Sequence, residues 1–334
     1  MAGYTKNHRT PLQLTAVARA SFRATLDAYP NLRALFPVVP NFTLDYEFNA
    51  GASFLPAAAS FRSFDTESQV GQTGSAQTSK GKLPPTSIRL HVDEVQQLQM
   101  YGQNEAIGQK FEDHADQNAR SIAYRAILGA GEALSAGKVS IDERNIRLDV
   151  DFGRPARLDV VAAGGWWTAA GSSPLADLDA LRLALGKRVA QTTLSRKHMN
   201  ALQRNAEMIS FIAPGVSGAT RVSAQDVIDF LASEGYGRIV IDETVVPNKQ
   251  GVEVPVFDEK KVIMTAGGTV GTIDLGVTAE SIQQANGIST SDAPGLFSGA
   301  IETTDPEGYD VLVAAILLPV LRAPLSTATL KALA

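Results

Sequence analysis

The triplet Asp151-Phe152-Gly153, inside IRLDVDFGRP (146–155), is the stretch of this sequence most suggestive of chemistry. In protein kinases an Asp-Phe-Gly triplet holds a metal ion. It works there with a glycine-rich loop, a strand lysine and a His-Arg-Asp catalytic loop. Here His8 is followed by Arg9 and Thr10, no histidine precedes Arg-Asp, and no GxGxxG precedes Asp151. The triplet therefore reads as structure: Phe152 is an inward strand residue, and Gly153 lets the chain turn sharply.

Other candidates are weaker. AGGTVGTIDLG (266–276) resembles a phosphate-cradling loop, but it lacks the GK[ST] ending and opens no helix, so a turn cluster is expected. Ser195 and His198 stand three apart at a helix start, where a capping serine and a surface histidine are expected. The acid pairs Asp177/Asp179 and Asp242/Glu243 are too close in sequence to face each other as acid and base. Trp166 and Trp167, in the glycine-rich GGWWTAAG, suit a loop anchored to a core or to an interface. There is no cysteine, which excludes disulfides, thiolate metal sites and cysteine nucleophiles. The four histidines show neither HxH nor HxxxH spacing. No catalytic residue, no metal site and no cofactor is expected.

Composition narrows the class. Charged residues make up 19% of the 334, below the roughly 25% usual in soluble domains, and the formal net charge is −5. Such a chain does not hold nucleic acid through a basic stripe. The start, MAGYTKNHRTPLQL, has no apolar run of the secretory kind, and the apolar run 311–320 is too short for a bilayer and contains Pro319. A soluble chain made in the cytosol, with no membrane partner, is expected.

The elements follow from periodicity. Residues 12–29 read as a helix. Pro30, Pro37 and Pro40 then interrupt an apolar stretch that suggests an extended arm over 1–45. Residues 46–90 read as two strands joined by a long small-residue tip, carrying Phe48, Phe54, Phe61, Arg62 and Phe64; a structureless stretch of that length is usually functional. From 105 to 135 apolar residues recur at 107, 111, 115, 119, 122, 126, 127, 130 and 134, a helical stripe closed by Gly137. Ile146, Leu148, Val150 and Phe152 alternate with Arg147, Asp149 and Asp151, which predicts a strand. A mixed α/β region follows, and GYDVLVAAILLPVLRAP (308–324) reads as a buried strand returning to an earlier sheet.

This order of parts resembles the tailed-phage major capsid fold named after the phage Hong Kong 97, and within it the lambda-like major capsid protein E family. The stretches that carry the resemblance are ALSAGKVSI, VDFGRP, GGWWTAAGSSPLADLDAL, VFDEKKVIMTAGGTVGTIDLG and DVLVAAILLPVLRAPLSTATLKAL. Together they cover nearly the whole chain from about residue 25.

The resemblance implies an α+β fold with an N-terminal arm (1–45), an E-loop (46–90), a P-domain (91–160 and 306–334, with a spine helix at about 105–136) and an A-domain (161–305). It implies a structural protein, not an enzyme. Copies would form the pentamers and hexamers of an icosahedral virion head around double-stranded DNA, without sequence-specific contact. The chain would be made in the host bacterial cytoplasm, with scaffolding, portal and decoration proteins as further partners. The E-loop would lie across a neighbouring copy, so Phe48, Phe54, Phe61, Arg62, Phe64, Trp166 and Trp167 are expected as inter-subunit contacts. Gly153, Gly164 and Gly165 are expected as the hinge between P- and A-domains. Some relatives crosslink a loop lysine to a neighbour's asparagine; nothing in the sequence pairs Lys80 or Lys82 in that way. An encapsulin-type nanocompartment shell, and more remotely a soluble α/β enzyme, are the alternative readings.

Overall fold

The structure is a computed structural model that describes residues 4–50, 77–143, 146–215 and 218–334. The chain opens with α1 (Pro11–Asp27), α2 (Pro30–Leu35) and β1 (Val38–Pro40). Strands β2 (Asp45–Ala50) and β3 (Gln77–Lys82) pair antiparallel and precede β4 (Pro85–Val92) and the short α3 (Glu94–Gln99). Then come the long α4 (Asn104–Ala136) and the antiparallel pair β5 (Lys138–Glu143) and β6 (Ile146–Asp151). The next stretch holds β7 (Asp159–Val161), α5 (Pro174–Leu185), β8 (Gln191–Ser195), α6 (Arg196–Arg204), α7 (Ala206–Ile212), α8 (Ala224–Ser233) and β9 (Arg238–Asp242). Seven strands finish the chain: β10 (Val245–Pro247), β11 (Glu253–Pro255), β12 (Lys261–Thr265), β13 (Gly271–Leu275), β14 (Phe297–Thr304), β15 (Glu307–Leu321) and β16 (Thr327–Lys331).

Two cores result. The first is organised by α4, the expected spine helix, whose stripe Ile107, Phe111, Ala115, Ile122, Ile127 and Leu134 is buried. Gly137 ends the helix in the left-handed region at φ 70°, which a residue with a Cβ rarely adopts. α4 lies on a sheet whose central strand is the 15-residue β15. That strand pairs with β4 and β14 through its first part and with β13 through its last, and β1 adds to β13 in parallel. The expected return of the closing strand to an earlier sheet is what β15 does on β4.

The helix expected over 12–29 is α1, and the extended stretch expected among Pro30, Pro37 and Pro40 is instead helical over its first part. α1 starts with a capping box, Thr10 and Gln13, and buries Leu14, Ala18, Phe22 and Leu26 in the first core. Pro30 does not break structure. It occupies the first helical position of α2, where its missing N–H has no bond to lose, and Leu32, Leu35 and Phe36 are buried.

The second core lies between the sheet β7-β16-β12-β8-β9 and helices α5 to α8, and includes Leu178, Leu181, Met199, Leu202, Val227 and Leu231. β12 forms the wall between the cores: Val262 and Met264 belong to the second and Ile263 to the first. The chain crosses between them five times, at 152–158, 241–246, 257–262, 266–270 and 321–328. The expected division at 160 and 305 does not follow these cores. Residues 271–275 and 297–304 pair within the first sheet, whereas 327–331 lie inside the second. Strand pairing joins segments by their edges and not by their order in the chain.

Candidate assembly surfaces and the junction between the bodies

Phe152 has no exposed surface, and its ring sits 5.1 Å from that of Phe48. Gly153 turns the chain at φ 71°, its N–H donating to Asp151 Oδ1 at 2.8 Å. The chain then presents Arg154, whose side chain is almost completely buried. Nη1 donates to Leu134 O at 2.6 Å and Nη2 to Ser135 O at 3.2 Å, the carbonyls that the last turn of α4 leaves without intrahelical partners. Nη2 also pairs with Asp159 Oδ1 at 2.7 Å. Burial pulls the Arg154 pKa below the usual arginine range; the Asp159 carboxylate and the negative end of the helix oppose that pull. A second cation reaches the same place: Lys261 Nζ donates to Ser135 O at 2.8 Å, and Asp258 N donates to Ser135 Oγ at 3.2 Å. Two of the five passes between the cores are therefore fastened to one helix end.

The approach of the third pass is close. A Cβ at Gly131 would lie 1.9 Å from Val256 O, so only glycine lets α4 and the bend at Val256 touch.

The residues expected at subunit contacts divide into three groups. Phe54, Phe61, Arg62 and Phe64 lie outside the described residues. Phe48 is 3% exposed and stacks on Tyr46 at 6.0 Å, which places it in the chain's own first core. Trp167 is 2% exposed and donates its Nε1–H to Asp177 Oδ2 at 3.0 Å, while Ala163 N donates to the other oxygen of the same carboxylate at 3.1 Å. Both rings are used within the chain, Trp167 as the core anchor that the sequence also allowed. Trp166 is half-buried, with Lys331 Nζ 5.4 Å from its ring centroid.

The glycines expected at the hinge fall in two places. Gly153 lies on the first pass. Gly164 and Gly165 lie beyond it, on a loop stitched to the end of the chain by Ala162 N–Lys331 O and Trp167 N–Ala332 O, both 3.0 Å. His198 is not a surface residue. It closes a capping box with Ser195, its Nδ1 2.7 Å from Ser195 Oγ, and burial pushes its pKa down to about 4. Asp242 and Glu243 line a shallow cleft with Arg196, Phe257 and Lys261, and Glu243 is paired with Arg196 at 2.5 Å. Among the described residues no group of three or more histidine, aspartate or glutamate side chains is placed to hold a metal ion, and no helix is long and apolar enough to cross a membrane.

What the surface does offer is apolar. α3 buries none of its side chains. In and just after it, Val95, Leu98 and Tyr101 are 62%, 66% and 86% exposed. Phe42 and Leu44, before β2, are exposed as well. A six-residue helix has little stability of its own. α3 is held by its Asp93 cap, which accepts from Gln96 N at 2.8 Å, and by Gln97 Nε2 donating to Val92 O at 3.4 Å.

No curated protein matches the chain. Among solved structures, one assigned as a prophage capsid protein from Escherichia coli CFT073 superposes with a TM-score of 0.65 at 14% identity, covering all of both chains. A phage-related protein from Bordetella bronchiseptica RB50 gives 0.56 at 14% identity, covering 99% of this chain and 98% of that one. The profile of the family described as phage major capsid protein E matches residues 55–332. The nanocompartment and enzyme readings fall with that match. The fold is the α+β Hong Kong 97 type, and the chain belongs to the phage major capsid protein E family, structural proteins that assemble with their own kind into the virion shell.

Proposed function

We propose that copies of this chain form the pentamers and hexamers of an icosahedral head that encloses double-stranded DNA. In this reading the first core, with its spine helix and β15 sheet, is the P-domain that tiles the shell. The second core is the A-domain gathered around each capsomer axis. The observation that carries it is α3, a helix without a buried side chain that exposes Val95, Leu98 and Tyr101 on a self-associating chain. Patches of this kind mark protein–protein contacts, and copies of the same chain are the partners to hand. Gly153 is the turning point between the two domains. The net charge of −5 suits a wall that lets packaged DNA slide, without base-specific contact. Portal and scaffolding proteins, and a decoration protein, complete the partner set, with synthesis in the cytoplasm of a bacterial host.

The test is expression of the chain alone, followed by size-exclusion chromatography and negative-stain electron microscopy, then the same with the scaffolding candidate added. Closed shells or five- and sixfold rings are expected in one of the two. Monomers under both conditions overturn the reading.

A further inference from the structure

The last turn of α4 holds more than a helix cap. Arg154, fastened to Leu134 O and Ser135 O, also carries Asp159, and Asp159 Oδ1 accepts a second hydrogen bond from Thr329 Oγ1 at 2.5 Å. Asp159 and Thr329 are register partners in the parallel pair β7–β16. An unbroken polar path therefore runs from the spine helix through a guanidinium and a carboxylate into the second sheet.

The two members of the ion pair are placed differently. The Arg154 side chain is 1% exposed and the Asp159 side chain 40%. If the carboxylate moves away, it enters water, and Arg154 keeps both helix carbonyls. Opening the pair takes the carboxylate from a buried guanidinium, but the two carbonyls at the negative end of α4 stay on it, which limits the cost that a stranded buried cation would otherwise carry. The contact has two tolerable settings, as a switching element requires.

We propose that Asp159 is a releasable latch. Closed on Arg154 and Thr329, it holds the second sheet at one angle to the spine helix. Open, it releases one of the two fastenings of that sheet to the helix end, so the sheet can shift by a small angle while Arg154 and Lys261 stay on the carbonyls. The angle between the bodies sets the curvature of a shell made from them, so the latch gives one chain more than one place in a closed surface. That last step rests on the pentamer and hexamer reading; the latch itself does not.

The chain has no cysteine, so spin labels can be placed cleanly. Gln109→Cys on α4 and Gln225→Cys on α8 are both exposed, one on each body. Pulsed electron–electron resonance on the unassembled, labelled chain is expected to give one narrow distance. Asp159→Ala and, separately, Thr329→Val are expected to lose that single distance and give a broad or double distribution. Asp159→Asn, which keeps an acceptor oxygen without the charge, falls between. Distributions that stay narrow and unshifted in both Asp159→Ala and Thr329→Val overturn the latch. Thr329→Val preserves side-chain shape, so it decides the matter even if Asp159→Ala folds poorly. Because no shell is needed for this readout, failure of the capsomer reading shows separately, in the micrographs.

Discussion

Gly129 and Gly131 sit two residues apart inside the same helix, and alanine at either would remove the same backbone freedom from the unfolded chain. On helix propensity alone each change gains about 1 kcal/mol. Their surroundings differ. At Gly129 the new methyl meets Pro319 Cγ at 3.1 Å, a contact relieved by a few tenths of an ångström. At Gly131 it meets Val256 O at 1.9 Å and Val256 Cγ1 at 2.8 Å. Ordinary contact begins near 3.4 Å, so the helix and the bend at Val256 must part by about 1.5 Å beside Asp258 N–Ser135 Oγ and Lys261 Nζ–Ser135 O. Overpacking of this sort costs about 1–3 kcal/mol or more. Gly129→Ala should thus be neutral or slightly more stable than the parent, and Gly131→Ala less stable by up to about 2 kcal/mol. Urea unfolding followed by circular dichroism at the helix band separates them through their midpoints. A Gly131→Ala protein as stable as Gly129→Ala would refute the packing argument and the placement of Val256 on the helix.

Three further outcomes are expected. Leu98→Asp with Tyr101→Ser should change unfolding free energy by less than about 0.5 kcal/mol, since both side chains are exposed, yet abolish shells and rings in micrographs; shells of normal yield would remove α3 from the interface. Trp167→Phe leaves the buried Asp177 carboxylate short of a donor and should lose about 1–3 kcal/mol in urea unfolding, whereas Trp166→Phe should stay within about 0.5 kcal/mol. The His198 pKa is depressed to about 4 in the fold. The unfolded chain therefore takes up the proton first as pH falls. The contribution of neutral His198 is complete above pH 6.5 and is lost between there and 4, up to about 3 kcal/mol. His198→Gln should flatten that part of the stability profile relative to the parent; parallel profiles would count against a buried neutral imidazole.

Much of the frame is legible in residue order. The stripe from Ile107 to Leu134 and the terminal Gly137 define α4, and the alternation Ile146 to Phe152 defines β6 and its inward phenylalanine. Both are local patterns, complete within one element. Pro30 misleads because proline is equally at home breaking a chain and starting a helix. Trp167 misleads because its partner, Asp177, sits in the first turn of a helix, where a carboxylate already has a reason to be. VDFGRP is visible as a motif, but the job of Arg154 depends on the end of α4 twenty residues earlier and on Thr329 far later. Nothing local marks such a contact. The exchange of 271–304 and 327–331 between sheets is hidden for the same reason.

The place of β16 in its sheet, between β7 and β12, carries a consequence for synthesis. β7, β8, β9 and β12 all leave the ribosome earlier, yet β7 has no neighbour until residues 327–331 arrive. β4 likewise waits for β15, and β13 has only β1 beside it until then. A chain stopped before β15 therefore lacks the centre of the first sheet, and one stopped before β16 leaves β7 without a strand partner in the second.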